Sequence, residues 1–208
     1  MKISHVVRVL ITSDFLINSG FSVFAPIFAV FVTKQIESGS VEVVGYAAAI
    51  AQVFKVGFQI PVARYLDKNH GEYDDFYSLI LGSFTISVVP FLYFFATTAQ
   101  HIYFIQALYG LGLALAVPPW FAIFTRHIDK MKENIEWSFE SVAIGISAAI
   151  SSSLGGFLAQ RYGFELLFLL GGLLAFLGAL FQIKIFHDLK AKVSQGQVKP
   201  LPDRASTG

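Results

Sequence analysis

Apolar residues run along this chain in six long continuous stretches, separated by short polar connectors. The stretches cover residues 7–32, 42–63, 76–97, 101–124, 138–160 and 164–186. Each reaches the roughly 20 residues that a helix needs to cross a bilayer. Lipid offers the backbone no partners, so each stretch is predicted to be a helix that pairs its own amides and carbonyls. A barrel would need alternating segments of about ten residues, and these runs do not alternate. The first run is too long for a cleavable signal peptide, and it is polar on one side. The pattern predicts an all-α integral membrane protein with one six-helix domain over residues 1–187. The remainder, 188–208, is polar and holds Gly196, Pro200 and Pro202, which predicts a disordered tail.

Composition agrees with the membrane reading. Hydrophobic residues make up 55% and charged residues 14%, against roughly 25% charge in a soluble domain. Cysteine is absent, which excludes a disulfide framework and a thiolate metal site. The placement of positive charge sets orientation. Of 15 Lys and Arg, 12 fall at the N-terminus, in the connectors 64–75 and 125–137, or from Lys184 onward. Lys34 and Arg161 lie on the opposite side, and Lys55 lies within a span. The positive-inside rule therefore predicts cytoplasmic termini, which an even number of spans requires.

Several local patterns resemble the N-terminal half of the major facilitator superfamily. The connector after the second span reads Ala63-Arg64-Tyr65-Leu66-Asp67-Lys68-Asn69-His70-Gly71-Glu72-Tyr73. Its Asp67-Lys68 core and Gly71 match the family's G-x-x-x-D-[RK]-x-G-[RK]-[RK] signature. Ala63 replaces the first Gly, one residue is inserted, and Glu72 and Tyr73 replace the basic pair, so the usual charge latch does not carry over. The fourth span has Gln106 and Gly110-Leu111-Gly112 where the family has R-x-x-q-G-x-G. The fifth ends Ser151-Ser152-Ser153-Leu154-Gly155-Gly156, similar to the antiporter motif G-P-x-x-G-G. The resemblance implies a major-facilitator-like half bundle whose first, second, fourth and fifth helices line a cavity. Such proteins usually have twelve spans in two halves related by an axis along the membrane normal. Six spans here imply a parallel homodimer, a second six-helix half, or a truncated transporter fragment.

Ionisable groups within a span cost about 2.5–3.5 kcal/mol on insertion scales, so each requires a reason. Asp14 and Lys55 both lie roughly 10–12 Å deep from the same side at 1.5 Å rise per residue. They are expected to pair, either as a cavity-lining functional pair or as a structural one. Snorkelling of each to the surface is the alternative. Asp14, Asn18 and Ser22 form one polar stripe, and Gln52, Lys55 and Gln59 form another. Each stripe is a cavity lining or a helix-packing seam. Gln106, Ser147 and Ser151 complete the substrate or coupling candidates. Glu140 is read as a favourable charge near a helix N-terminus, ahead of the alternative of proton coupling. The third and sixth spans carry no comparable stripe.

Other chemistries find little support. Gly145-Ile146-Ser147-Ala148 only partly matches an intramembrane protease motif, and every His falls in a connector or at a span end. No metal-binding spacing and no phosphate-binding loop occur, and no cofactor is implied. Mixed charges argue against nucleic acid. The reading is secondary transport of a small solute, with proton coupling open, in a plasma membrane such as the bacterial inner membrane. The alternative is a non-transporting membrane interaction protein or subunit. One prediction follows from the charge asymmetry. A single cysteine placed at position 70 of this cysteine-free chain should resist an impermeant thiol reagent added outside intact cells. Labelling from outside would invert the topology.

Overall fold

The computed structural model describes residues 3–68 and 71–189. Position 70 and the part of the predicted tail from 190 to 208 lie outside the described residues. Among the described residues six helical segments are long and apolar enough to cross a membrane. The first is interrupted. Helix α1 (His5–Ser22) is followed by a single 3-10 turn at Ala25–Ile27 and by α2 (Phe28–Gln35). Pro26 sits in that turn, where its missing N–H and fixed φ break the α-helical ladder. The remaining spans are α3 (Val41–Asp67), α4 (Tyr73–Tyr93), α5 (Ala99–His127), α6 (Glu133–Tyr162) and α7 (Phe164–Gln182), the last extended by a 3-10 segment, Ile183–Asp188.

The chain places recognisable stops and starts between these helices. Ser40 and Thr98 cap α3 and α5, each side chain accepting a bond from a first-turn N–H, Val43 and His101 respectively. Gly163 separates α6 from α7 with φ +82°, a backbone region that glycine enters at little cost. Helix α6 begins at Glu133, five residues before the predicted span, and α4 ends at Tyr93, four residues before the predicted end. Helices α4 and α5 continue through Pro90 and through Pro118-Pro119.

The helices pack as an open arc. Helix α3 lies on α5, α5 on α4, α4 on α7, α7 on α1, and α1 on α6. Helices α3 and α6 stand at the two ends and share no extensive contact. Only 17% of the spanning window of each is buried, against 50% for α4, so both keep most of their surface unpartnered. Their exposed side chains include many apolar ones, among them Val53, Val56, Ile146 and Ile150.

Two aromatic-rich cores hold the arc together. One gathers Phe24, Phe31, Tyr93 and Phe168, with the Phe31 and Phe168 rings 4.8 Å apart and edge-on. The other gathers Leu10, Leu79, Trp120 and Phe124 near the opposite end. Small residues let backbones approach at the seams, as expected where lipid removes the hydrophobic drive between helices. Gly20 of α1 faces Gly171 of α7 so closely that a Cβ on either would collide with the other's carbonyl oxygen.

An ionic cluster joins α4 to α5. Asp75 is buried and pairs with Arg126. His127 Nδ1 lies 3.7 Å from the buried Glu72 carboxylate. Acids at a helix N-terminus and bases at a helix C-terminus also suit the helix dipoles. The predicted loop motif is placed differently. Asp67 and Lys68 are exposed, while Gly71 is buried. The latch at this end is thus built from Glu72, Asp75, Arg126 and His127.

These seams generate a stability prediction. Gly20→Ala should destabilise the bundle by about 1–3 kcal/mol through overpacking. Gly145→Ala, where a new Cβ meets open space, should be neutral or slightly stabilising. Thermal unfolding of the two variants in detergent checks the contrast.

Candidate functional site

A cavity of about 340 Å³ lies within the bundle, lined by α1, α4, α5, α6 and α7. Helix α1 contributes Asp14, Ile17, Asn18 and Phe21. Helix α5 contributes Tyr109, Trp120 and Phe121, and α6 contributes Trp137, Glu140 and Ile144. Ser83 of α4 and Gln182 of α7 close the back. Phe121 is 51% exposed and Ile144 37% exposed, so the rim between α5 and α6 reaches the unpartnered face.

Depth follows from helix starts. Asp14 lies nine residues into α1 and Glu140 seven residues into α6, about 10–14 Å along their axes. Both helices start at the same end, so the two carboxyls meet at one level. The Asp14 carboxyl neighbours that of Glu140 and the indole of Trp120. Glu140 is 4% exposed, and its carboxyl meets that of Asp14 and accepts from no other donor. Trp120 Nε1 approaches Asp14 without reaching hydrogen-bond geometry. Gln182 Oε1 is also buried and unpartnered. Buried polar groups are ordinarily satisfied, so unpartnered ones converging on one cavity mark it as a place for a ligand, a proton or water.

Asn18 stands at the cavity wall but is engaged. Its amide donates to Ser147 Oγ at 2.6 Å and to the Ile144 carbonyl at 3.2 Å, fastening α1 to α6. Ser147 donates in turn to the Ile144 carbonyl at 2.8 Å. Ser151 is buried in the same seam. These predicted site residues therefore act as helix glue, with Asn18 also lining the cavity.

The other candidates lie elsewhere. Gln106 donates to the Tyr93 hydroxyl at 3.0 Å, tying α5 to α4 away from the cavity. Gln52 is exposed on α3, and Lys55 and Gln59 are half-buried there. Helix α3 contributes no cavity residue. The expected Asp14–Lys55 pair does not form. Equal depth is not enough, because α1 and α3 are not packed neighbours. The third and sixth spans, which carry no comparable polar stripe, still place Ser83 and Gln182 at the cavity. The reading of Glu140 as a helix-terminal charge is corrected too. Helix α6 starts earlier than predicted, so Glu140 sits two turns inside it. Among the described residues no group of three metal-ligating side chains occurs.

Comparison with known proteins agrees with this architecture. A sequence profile of the Major Facilitator Superfamily matches residues 10–204. No match was found among curated proteins. Among solved structures, the in meso crystal structure of the POT family transporter PepTSo superposes with a TM-score of 0.75 at 15% identity. The superposition covers 96% of this chain and 41% of that one, so the chain spans less than half the length of that transporter.

The placement of the charges yields a coupling prediction. In a double-mutant cycle, Asp14→Asn and Glu140→Gln should interact by about 0.5–3 kcal/mol, as groups in contact do. Asp14→Asn and Lys55→Met should add to within about 0.5 kcal/mol. Chemical unfolding in detergent reads both cycles. Strong Asp14–Lys55 coupling would require the two helices to meet.

Proposed function

Since the chain belongs to the major facilitator superfamily, we propose that it carries a small solute across the membrane by secondary transport, with the α1–α5–α6 cavity as its binding site. The observation that carries this reading is the Asp14–Glu140 carboxyl pair together with the buried, unpartnered polar atoms of Trp120 and Gln182, all around one cavity in a multi-pass bundle. A static bundle gains nothing from leaving such groups unsatisfied. A transporter needs groups that are satisfied in turn by different occupants.

Asp14 and Glu140 supply the coupling in this proposal. Two neighbouring carboxyls can share a hydrogen bond only when one of them holds a proton. A proton or a bound solute then satisfies the pair, and exchange between them links one flux to the other. The cavity rim opens on the face that α3 and α6 leave unpartnered, so a second six-helix half completes the path. A second copy of this chain in the same orientation, around an axis along the membrane normal, fills that role. The cytoplasmic orientation of the termini and residence in a plasma membrane belong to the same reading.

The test uses proteoliposomes holding the full chain and an internal pH-sensitive dye. A carried solute should move protons with it, and Glu140→Gln should abolish the proton movement. Under oxidising conditions Ile150→Cys on α6 should cross-link into active dimers, whereas Leu177→Cys on α7 should not. Dimers forming through α7 alone would overturn the arrangement, and proton movement untouched by Glu140→Gln would overturn the coupling.

A further inference from the structure

The cavity combines two features that select for one ligand chemistry. The first is uncompensated negative capacity. Asp14 and Glu140 face the same space, and no Lys or Arg lines it. The Glu140 carboxyl meets that of Asp14 and accepts from no other donor, and Gln182 adds an unpartnered carbonyl oxygen. All three present acceptors. The second feature is aromatic. Trp120, Trp137, Phe121, Phe21 and Tyr109 form the walls. Their rings are packed together, with Trp120 and Trp137 centroids 6.1 Å apart and Phe121 and Trp137 centroids 5.8 Å apart. Phe21 and Tyr109 stack at 5.1 Å on the opposite wall.

We propose that this cavity binds an organic cation, an ammonium group set between the Asp14–Glu140 carboxyls and the aromatic walls. The assignment rests on the transport reading for its role but not for its chemistry. Aromatic faces attract a cation through the ring quadrupole, and most strongly where water is excluded. A carboxyl pair supplies the counter-charge that a buried cation needs. A hard metal ion would seek six or more oxygen ligands, and a wall made mostly of rings cannot provide them. An anion would meet two carboxyls with no opposing base. A neutral solute would leave the carboxyl pair unanswered. The volume of about 340 Å³ lies at the lower end of the range for small-molecule pockets, roughly 300–1,000 Å³, which favours compact amines.

The chain offers its own probe. It has two tryptophans, Trp120 and Trp137, and both line the cavity. Intrinsic tryptophan emission therefore reports occupancy without background from elsewhere. The experiment titrates the full chain in detergent micelles with choline and with 3,3-dimethylbutan-1-ol, its neutral isostere. Choline should shift the emission saturably and bind at least about tenfold more tightly than the isostere. Glu140→Gln and, independently, Asp14→Asn should each remove that preference, with thermal unfolding and gel filtration confirming that the variants are folded. Equal binding of the two probes, no saturable change with choline, or folded variants that keep the preference would each overturn the inference. Uptake of labelled choline into proteoliposomes separates the two proposals. Saturable binding without uptake would leave the cation site and remove the transport role. Uptake of uncharged solutes without choline binding would do the reverse.

Discussion

Hydrocarbon offers no hydrogen bonds, and that absence governs where every polar atom of this bundle goes. The backbone answers by forming helices. The side chains answer by pairing across seams: Asn18 with Ser147, Gln106 with Tyr93, Ser152 with the Ser22 carbonyl. Against that background the exceptions gain meaning. Glu140, Trp120 and Gln182 lie deep in the bundle with unused capacity, and all three border the same space. Among the described residues Glu136 Oε1 is also buried without a partner, outside the cavity; the other exceptions share one space, where an occupant from outside the chain can satisfy them.

The arc of helices has a division of labour that follows from packing. Close contacts through Gly20, Gly171 and Gly178 make α1 and α7 a tight pair, and Gly82 with Gly112 does the same for α4 and α5. Helices α3 and α6 are held from one side only. The ionic cluster of Asp75 and Arg126 secures α4 to α5 at the end nearest the cavity. A rigid back and a free front result. The cavity lies between the back and α6, which alone of the two free helices lines it.

Much of the architecture was legible in the sequence because the bilayer imposes a length and a composition on every span. Six runs gave six spanning segments, but proline alone did not mark the interruption, since Pro26 breaks the first span while α4 and α5 continue through theirs. The site was legible only in part. Asp14 stood out as a charge in an apolar run. Its partner did not, because Glu140 was measured from an assumed boundary and α6 begins five residues earlier. Depth alone suggested Lys55, yet depth carries no information about which helices are neighbours. Ser83 and Gln182 were single polar residues without a stripe, so periodicity gave them no weight. Trp120 and Trp137 counted as apolar, and their place in a cavity wall depends on how α5 and α6 are rotated. Asn18, Ser147 and Ser151 show the reverse case, where a polar stripe serves mainly to fasten two helices.

Near one mouth of the bundle His5 Nδ1 meets Asp188 Oδ2 at 2.8 Å. The first residue of α1 and the last residue of the final 3-10 segment are therefore neighbours, on the same side of the molecule. For a protein whose neighbour among solved structures is more than twice its length, this has a genetic meaning. Two copies of the reading frame joined end to end would require only a flexible tether lying flat along one membrane surface. No extra crossing would be needed to keep both copies upright, and neither bundle would have to open its seam to be linked. His5 and Asp188 are placed so that joining two such bundles is a matter of loop length.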